Sequence, residues 1–148
     1  MTKLIMPKID RKLISRKVEV LASLKKIIKA ENILDHEDQI RPFETDALSA
    51  YKQKPLVVVF PENTKEVSKI LTYCNQERIK VVPRGAGTGL SGGALPLEDC
   101  VLLCLGKFNK IINIDYKNRC VVAQPGVTNL SITKAVEEKG FYYAPDPS

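Results

Sequence analysis

Hydrophobic residues recur at three- and four-residue intervals through the first thirty positions, at Leu13, Ile14, Val18, Val20, Leu21, Leu24, Ile27 and Ile28. Positions spaced i, i+3 and i+4 share one helix face, so the spacing predicts an amphipathic helix with room for one break. Residues 35–54 are polar, contain Pro42 and show no period; they are expected to connect across the surface. From Pro55 the pattern turns to β-branched runs. Leu56-Val57-Val58-Val59-Phe60, closed by Pro61, predicts a strand buried on both faces. Glu62-Asn63-Thr64 then offers a helix N-cap, with Glu66 as an acid in the first turn, and Val67, Ile70, Leu71 and Cys74 define one helical face. Ile79-Lys80-Val81-Val82 is a second short strand, which Pro83 is expected to end. Strand, helix and strand in this order make a βαβ unit with parallel strands.

Three more strands are predicted beyond residue 100, at Val101 to Leu105, Ile111 to Ile114 and Cys120 to Gln124. Asp115-Tyr116-Lys117-Asn118-Arg119 reads as a hairpin loop between the last two. Pro125-Gly126-Val127 turns the chain, and Thr128 or Asn129 caps a helix that runs through Ala135 to about Lys139 and stops at Gly140. The predicted class is α+β: an N-terminal helix, a βαβ unit, then a small mixed sheet with a further helix. The organisation expected is a helical segment over 1–34, a connecting segment over 35–54 and a third unit over 55–148.

Composition narrows the function classes. With 148 residues, 44% hydrophobic, 27% charged and 6% aromatic, the chain reads as one soluble globular domain with a real core. No apolar stretch approaches the roughly 20 residues of a membrane span, and Pro7 and Lys8 interrupt the start before a secretory signal could form, so the expected compartment is the cytoplasm. The net charge of +6 is concentrated at Arg11, Lys12, Arg16, Lys17, Lys25, Lys26 and Lys29. No aromatic stacking residues accompany these charges, so they are read as a solvated helix face rather than a nucleic-acid surface. Cys74, Cys100, Cys104 and Cys120 lack the turn spacing of a zinc site, and the single histidine, His36, lies in a distant polar stretch. All four thiols are expected to be buried as small hydrophobes, and His36 to be exposed.

The most unusual stretch is Pro83-Arg84-Gly85-Ala86-Gly87-Thr88-Gly89-Leu90-Ser91-Gly92-Gly93, which holds five of the eight glycines. Gly87-Thr88-Gly89-Leu90-Ser91-Gly92 matches the letters of the dinucleotide fingerprint. That fingerprint needs a helix opening on its last glycine, whereas Gly93-Ala94-Leu95-Pro96 leads through a proline toward a strand. No acid stands near position 107, which is Lys107, and no Lys-Ser or Lys-Thr follows the glycines as in a Walker loop. Two readings remain: a glycine-rich turn without a ligand, or a nest whose successive N–H groups surround an anion. In the second, Thr88 and Ser91 add hydroxyl donors and Arg84 adds charge.

Read together, Pro55 to Pro61, Glu66-Val67 and Val82 to Gly93 resemble the FAD-binding (PCMH-type) domain of the vanillyl-alcohol-oxidase-type flavoproteins. Within that group they are most similar to the glycolate oxidase FAD-linked subunit and its D-lactate dehydrogenase relatives. Pro42 to Tyr51, Gln124-Pro125-Gly126-Val127 and the terminal Pro145-Asp146-Pro147-Ser148 fit the same resemblance, which covers the chain from about residue 31. The resemblance implies FAD as cofactor, with its pyrophosphate on Arg84, Gly85, Ala86, Gly87, Thr88, Gly89, Leu90, Ser91 and Gly92, and a second flavin-contacting segment beginning at Pro147 and Ser148. Gly85 to Gly89 are the amide donors it implies most directly. Pro125-Gly126 can equally be a plain turn, and Asp46 a helix cap. Where some relatives carry a flavin-linked histidine this chain has Thr88, which implies dissociable FAD.

Family members continue past Pro-Asp-Pro-Ser into the rest of the FAD domain and a substrate domain. The resemblance therefore implies the FAD-binding portion of a 2-hydroxy-acid oxidoreductase, not catalytic alone, with no catalytic residue and no metal ligand assigned. Its implied partners are a complementary chain carrying the remaining domains and an electron-transfer subunit. A non-catalytic nucleotide-binding remnant or assembly module that docks on a complementary chain is the alternative.

Overall fold

The computed structural model describes residues 7–145. The predicted N-terminal helix is two helices, α1 (Arg11–Ser15) and α2 (Lys17–Leu24), separated at Arg16. Asp10 caps α1, its carboxylate accepting the N–H groups of Lys12 and Leu13. A 3-10 turn, Ala30–Asn32, leads into a two-residue strand, β1 (Ile33–Leu34), and a four-residue helix follows, α3 (Glu37–Ile40). The βαβ unit is β2 (Val57–Val59), α4 (Thr64–Gln76) and β3 (Lys80–Arg84). Then come β4 (Cys100–Cys104), the hairpin β5 (Ile111–Asp115) and β6 (Cys120–Ala123), and α5 (Asn129–Val136), capped by Thr128. Gly140, in the left-handed conformation, ends the last helical turn as expected.

The main sheet has the order β1-β2-β4-β3. β2, β4 and β3 are parallel, and β1 is antiparallel on the β2 edge. The two strands of the βαβ unit are thus parallel but not neighbours, because β4 enters between them. Val57 pairs with Val101 and Val59 with Leu103, while Val82 pairs with Leu102 on the other side.

Alternation along these strands divides the core into two layers. Val57, Val59, Val101 and Leu103 pack with Leu13, Val20 and Leu24 of the N-terminal helices and with Ile70 and Cys74 of α4. Val58, Leu102 and Cys104 face the other way, onto Ile40, with Phe43 and Phe60 closing the layer edge-to-face at 5.8 Å. A parallel strand covered on both sides needs apolar residues at every position, and Cys100 to Cys104 are all buried.

Four expectations change. The segment 35–54 does not merely cross the surface: its few apolar residues, Ile40 and Phe43, cover the second face of the sheet. They are too few to show a period. Pro83 does not end its strand, since β3 continues through Pro83 to Arg84. The strand lies at the sheet edge, where a residue without an N–H leaves no ladder bond broken. Leu71 is 44% exposed, on the flank of α4 rather than its buried face. Cys120 is exposed, at the start of β6 where exposed and half-buried positions alternate. Cys74, Cys100 and Cys104 are free and buried, and burial pushes their thiols up to about 11, 12 and 11. His36 is exposed as expected.

One buried carboxylate ties the N-terminal segment to the sheet. Asp99, 1% exposed, accepts Lys80 Nζ at 2.7 Å and the Asp10 N–H at 2.7 Å through Oδ2. Lys80 also donates to the Lys8 carbonyl at 3.0 Å. Burial pushes the Asp99 carboxyl up, but the bonds from Lys80 and Asp10 outweigh it and hold the group below its usual value. A depressed folded-state value means that the contribution is full above about pH 4 and is lost as pH falls through the folded value. Asp99→Asn is expected to lower stability by about 2 kcal/mol at pH 7. Urea unfolding at pH 7 and pH 3 checks this: the gap between wild type and variant narrows at the lower pH.

Candidate functional site

β3 delivers the chain to the carboxyl end of the parallel strands, and the glycine run begins there. Arg84 pairs with Cys104, and the Leu105 N–H donates to the Arg84 carbonyl at 2.9 Å, so the last rung of the sheet is the base of the loop. Among the described residues, no N–H from Gly85 through Gly93 donates to a protein acceptor; the next amide, Ala94, donates to Asp46 Oδ2 at 3.3 Å. Main-chain N–H groups are normally paired, so an unbroken series of free donors marks a place for an external acceptor or water. Gly87 (φ 76°) and Gly92 (φ 74°) are left-handed, which supplies the conformational reversals from which an anion-binding nest is built.

The outer side of the loop is open. A Cβ placed on Gly85, Gly89 or Gly93 would meet nothing within 4 Å. The inner side is closed. A Cβ on Gly87 would collide with the guanidinium of Arg84, and the Gly87 carbonyl accepts the Ala47 N–H at 2.9 Å. This closed side is made by residues 43–48. Arg84 Nη1 donates to the Thr45 carbonyl at 2.7 Å, and its guanidinium lies 5.6 Å from the centroid of the Phe43 ring. Asp46, 5% exposed, accepts the Leu48 N–H at 2.9 Å through Oδ1 and the Ala94 N–H through Oδ2.

The predicted site residues therefore separate. Gly85, Ala86, Thr88, Gly89, Leu90 and Ser91 are exposed on the loop, Gly87 and Gly92 are half-buried turning points, and the Arg84 side chain is turned beneath it. Pro147 and Ser148 lie outside the described residues. Asp46 is not a helix cap, because no helix follows it; its two oxygens join the 46–48 turn to the far end of the glycine run. A sequence signal for this existed in the Pro42 to Tyr51 motif, although nothing in it states which partner Asp46 finds.

No helix follows the glycines: the chain turns at Gly92 to Leu95 and reaches β4 directly. The α4 N-terminus, at the end of β2, is capped by its own residues. Asn63 accepts the Glu66 N–H at 3.0 Å and Glu66 accepts the Glu62 N–H at 2.7 Å. Beyond it, Lys107 Nζ donates to Asn32 Oδ1 at 2.6 Å and to Glu62 Oε1 at 3.0 Å, and Lys29 stands 3.2 Å from Glu62 Oε2. Bonds from Asn32, Lys107 and Lys29 hold the Glu62 carboxyl down at about 2. Pro125-Gly126 is a turn, closed by the Val127 N–H on the Gln124 carbonyl at 3.1 Å, and Gly126 is a tight contact as well: its N–H donates to the Phe108 carbonyl at 2.7 Å, and a Cβ there would fall 2.7 Å from the Leu105 carbonyl.

A loop of free amides, open on one side and adjoining no helix, fits an anionic group held by backbone. The comparison with protein families agrees, for the profile of the FAD binding domain matches residues 55–148. The chain belongs to the FAD-binding domain family. FAD is the cofactor of that family, as the resemblance implied. Glycolate oxidase subunit GlcD of Escherichia coli strain K12 is 46% identical over 143 residues, which are 97% of this chain and 28% of the relative. D-lactate dehydrogenase of Anaerostipes hadrus is 36% identical over 123 residues, 82% of this chain and 26% of the relative. A crystal structure of p-cresol methylhydroxylase shares the fold, with a TM-score of 0.73 at 24% identity over 85% of this chain and 25% of that one. The chain thus spans little more than a quarter of the length of these proteins.

Gly87→Ala is expected to cost about 1–2 kcal/mol from its left-handed backbone alone, and Gly126→Ala about 1–3 kcal/mol by overpacking. Gly85→Ala and Gly89→Ala, which meet open space at normal backbone angles, are expected to leave the melting temperature within about 1 °C, an effect below about 0.5 kcal/mol. Thermal unfolding of the four variants checks the order.

Proposed function

We propose that this chain is the FAD-pyrophosphate-binding portion of a 2-hydroxy-acid oxidoreductase similar to the glycolate oxidase subunit. The observation that carries the reading is the run of free amides from Gly85 to Gly93 on a loop that faces open space at Gly85, Gly89 and Gly93. The amides of Gly85 through Gly89 hold the pyrophosphate, and the hydroxyls of Thr88 and Ser91 add donors at its rim. Pro147 and Ser148 open the segment that reaches toward the flavin ring. When bound, FAD supplies hydride acceptance from the hydroxyl-bearing carbon of a 2-hydroxy acid, while the protein orients the ring. Within this chain the work is binding. The groups that hold and deprotonate substrate belong to the remaining length found in its relatives, carried on a complementary chain, and electrons leave through a further subunit. With threonine at position 88, flavin is held without a covalent bond.

Two measurements test this. FAD titrated into the chain is expected to bind with quenching of flavin fluorescence, and trichloroacetic acid precipitation is expected to release all of it into the supernatant. Gly89→Val fills the open side of the loop and is expected to weaken FAD binding at least about tenfold, which is about 1.4 kcal/mol, without lowering the melting temperature. Unchanged affinity in that variant, or flavin retained in the pellet, overturns the assignment. For the activity, mixing this chain with a chain corresponding to the rest of the glycolate oxidase subunit is expected to restore FAD-dependent oxidation of glycolate or D-lactate with an artificial dye.

A further inference from the structure

We propose that Arg84 is the counter-charge of the glycine loop, a positioning residue that acts on a bound diphosphate from beneath, through Gly87, without touching it. The inference rests on the reading of the loop as a pyrophosphate site.

The guanidinium is in an unusual situation. Arg84 is 9% exposed, yet among the described residues no carboxylate lies within 4.0 Å of it. Its one protein acceptor is the Thr45 carbonyl, and its flat face meets the Phe43 ring. A buried arginine is ordinarily paired, because removing a cation from water without a counter-ion is costly. The acids on either side of Thr45 are committed elsewhere: Asp46 accepts the Leu48 and Ala94 amides, and Glu44 pairs with Lys52 at 3.5 Å. The cation is therefore balanced by nothing in this part of the chain.

Its position indicates what balances it. The guanidinium occupies the space where a Gly87 side chain would be, directly under the turning point of the amide run. Above it lie free N–H donors and open space; below it lie Phe43 and the buried face of the sheet. A diphosphate seated on the loop is separated from this charge by one thickness of backbone, and the charge itself is buried on the inner side, where water screens it less than on the exposed loop. The glycine at 87 thus meets two demands at once, a left-handed turn and contact with the cation. Thr45 and Phe43 hold the guanidinium in place so that its charge is presented to the loop without reorganisation when the ligand arrives.

The test titrates the wild-type chain, Arg84→Met and Arg84→Lys with FAD and, separately, with ADP, each at low and high salt, alongside thermal unfolding. Arg84→Met is expected to weaken both ligands on the order of tenfold to a hundredfold and to reduce the salt dependence of binding. Arg84→Lys keeps the charge but not the planar fork, and is expected to recover a substantial part of the affinity. In the wild-type chain, the Arg84 Nε–H resonance is expected to shift on ADP binding, with no intermolecular Overhauser contact to the ligand. If the wild-type chain binds both ligands and Arg84→Met binds them equally well with an unchanged salt slope, the counter-charge role falls while the loop assignment stands. Equal loss in Lys and Met variants, tracking a fall in melting temperature, likewise makes Arg84 a structural residue only. If the wild-type chain binds neither ligand, the pyrophosphate reading falls and this one falls with it.

Discussion

β4 has no face turned to water, and most of the architecture can be traced to that. A strand flanked by parallel neighbours and apolar at every position must be covered above and below. One cover is supplied by the N-terminal helices and α4, whose apolar faces the sequence advertises. The other is supplied by a short stretch around Ile40 and Phe43 that has almost no apolar content to spare. Seating those two residues against Val58, Leu102 and Cys104 brings the rest of the segment with them, so that Thr45, Asp46 and Ala47 arrive beneath the glycine run. The floor of the candidate site is in this sense a continuation of the sheet's second layer.

That arrangement explains why the anion chemistry resides in backbone rather than at a helix terminus. The one helix that starts at the carboxyl end of these strands is α4, where the Asn63 side chain already accepts the Glu66 N–H and the Glu66 carboxylate folds back over the N-terminus onto the Glu62 N–H. The glycine run has no such internal acceptors. Its carbonyl and side-chain anchors all lie on the inner side, at Ala47, Asp46 and Thr45, which leaves the amides as the unsatisfied groups. Gly126 extends the same economy of space to the hairpin, pressing its backbone against the carbonyls of Leu105, Gly106 and Phe108 just past the end of β4.

Charge is distributed in two patterns. At the ends of β2 and β4, Lys29 and Lys107 pair directly with the one carboxylate of Glu62 around the buried Asn32. Asp99 and Lys80 do the same at the opposite end, where β3 and β4 begin. Under the glycine loop the acid and the base are held apart, Asp46 by amides and Arg84 by a carbonyl and a ring. Direct pairing suits a structural joint. Separation leaves the Arg84 cation without an ionic partner among the described residues, on the inner side of the glycine run.

The sequence by itself determined the elements whose signal is local. The apolar spacing from Leu13 to Leu24, the β-branched run at Val57 to Val59, the caps at Asn63 and Thr128 and the left-handed stop at Gly140 are properties of a few adjacent residues and stand where the pattern put them, although α2 ends at Leu24, short of Ile27 and Ile28, and Val18 of the predicted face is 79% exposed. The glycine run was legible for the same reason: conformational freedom is written in residue type, and the absence of a following helix was already visible in Pro96. Tertiary structure alone decided everything that depends on which surfaces meet. It placed β4 between the strands of the βαβ unit, made Pro83 tolerable by putting β3 at an edge, left Cys120 uncovered, and turned Ile40 and Phe43 into a layer of the core. It also turned Arg84 inward. A side chain's charge can be read from a sequence, but the side of the backbone on which it acts is set by the cavity that receives it, and here that cavity is built by residues 43–48, some forty positions away.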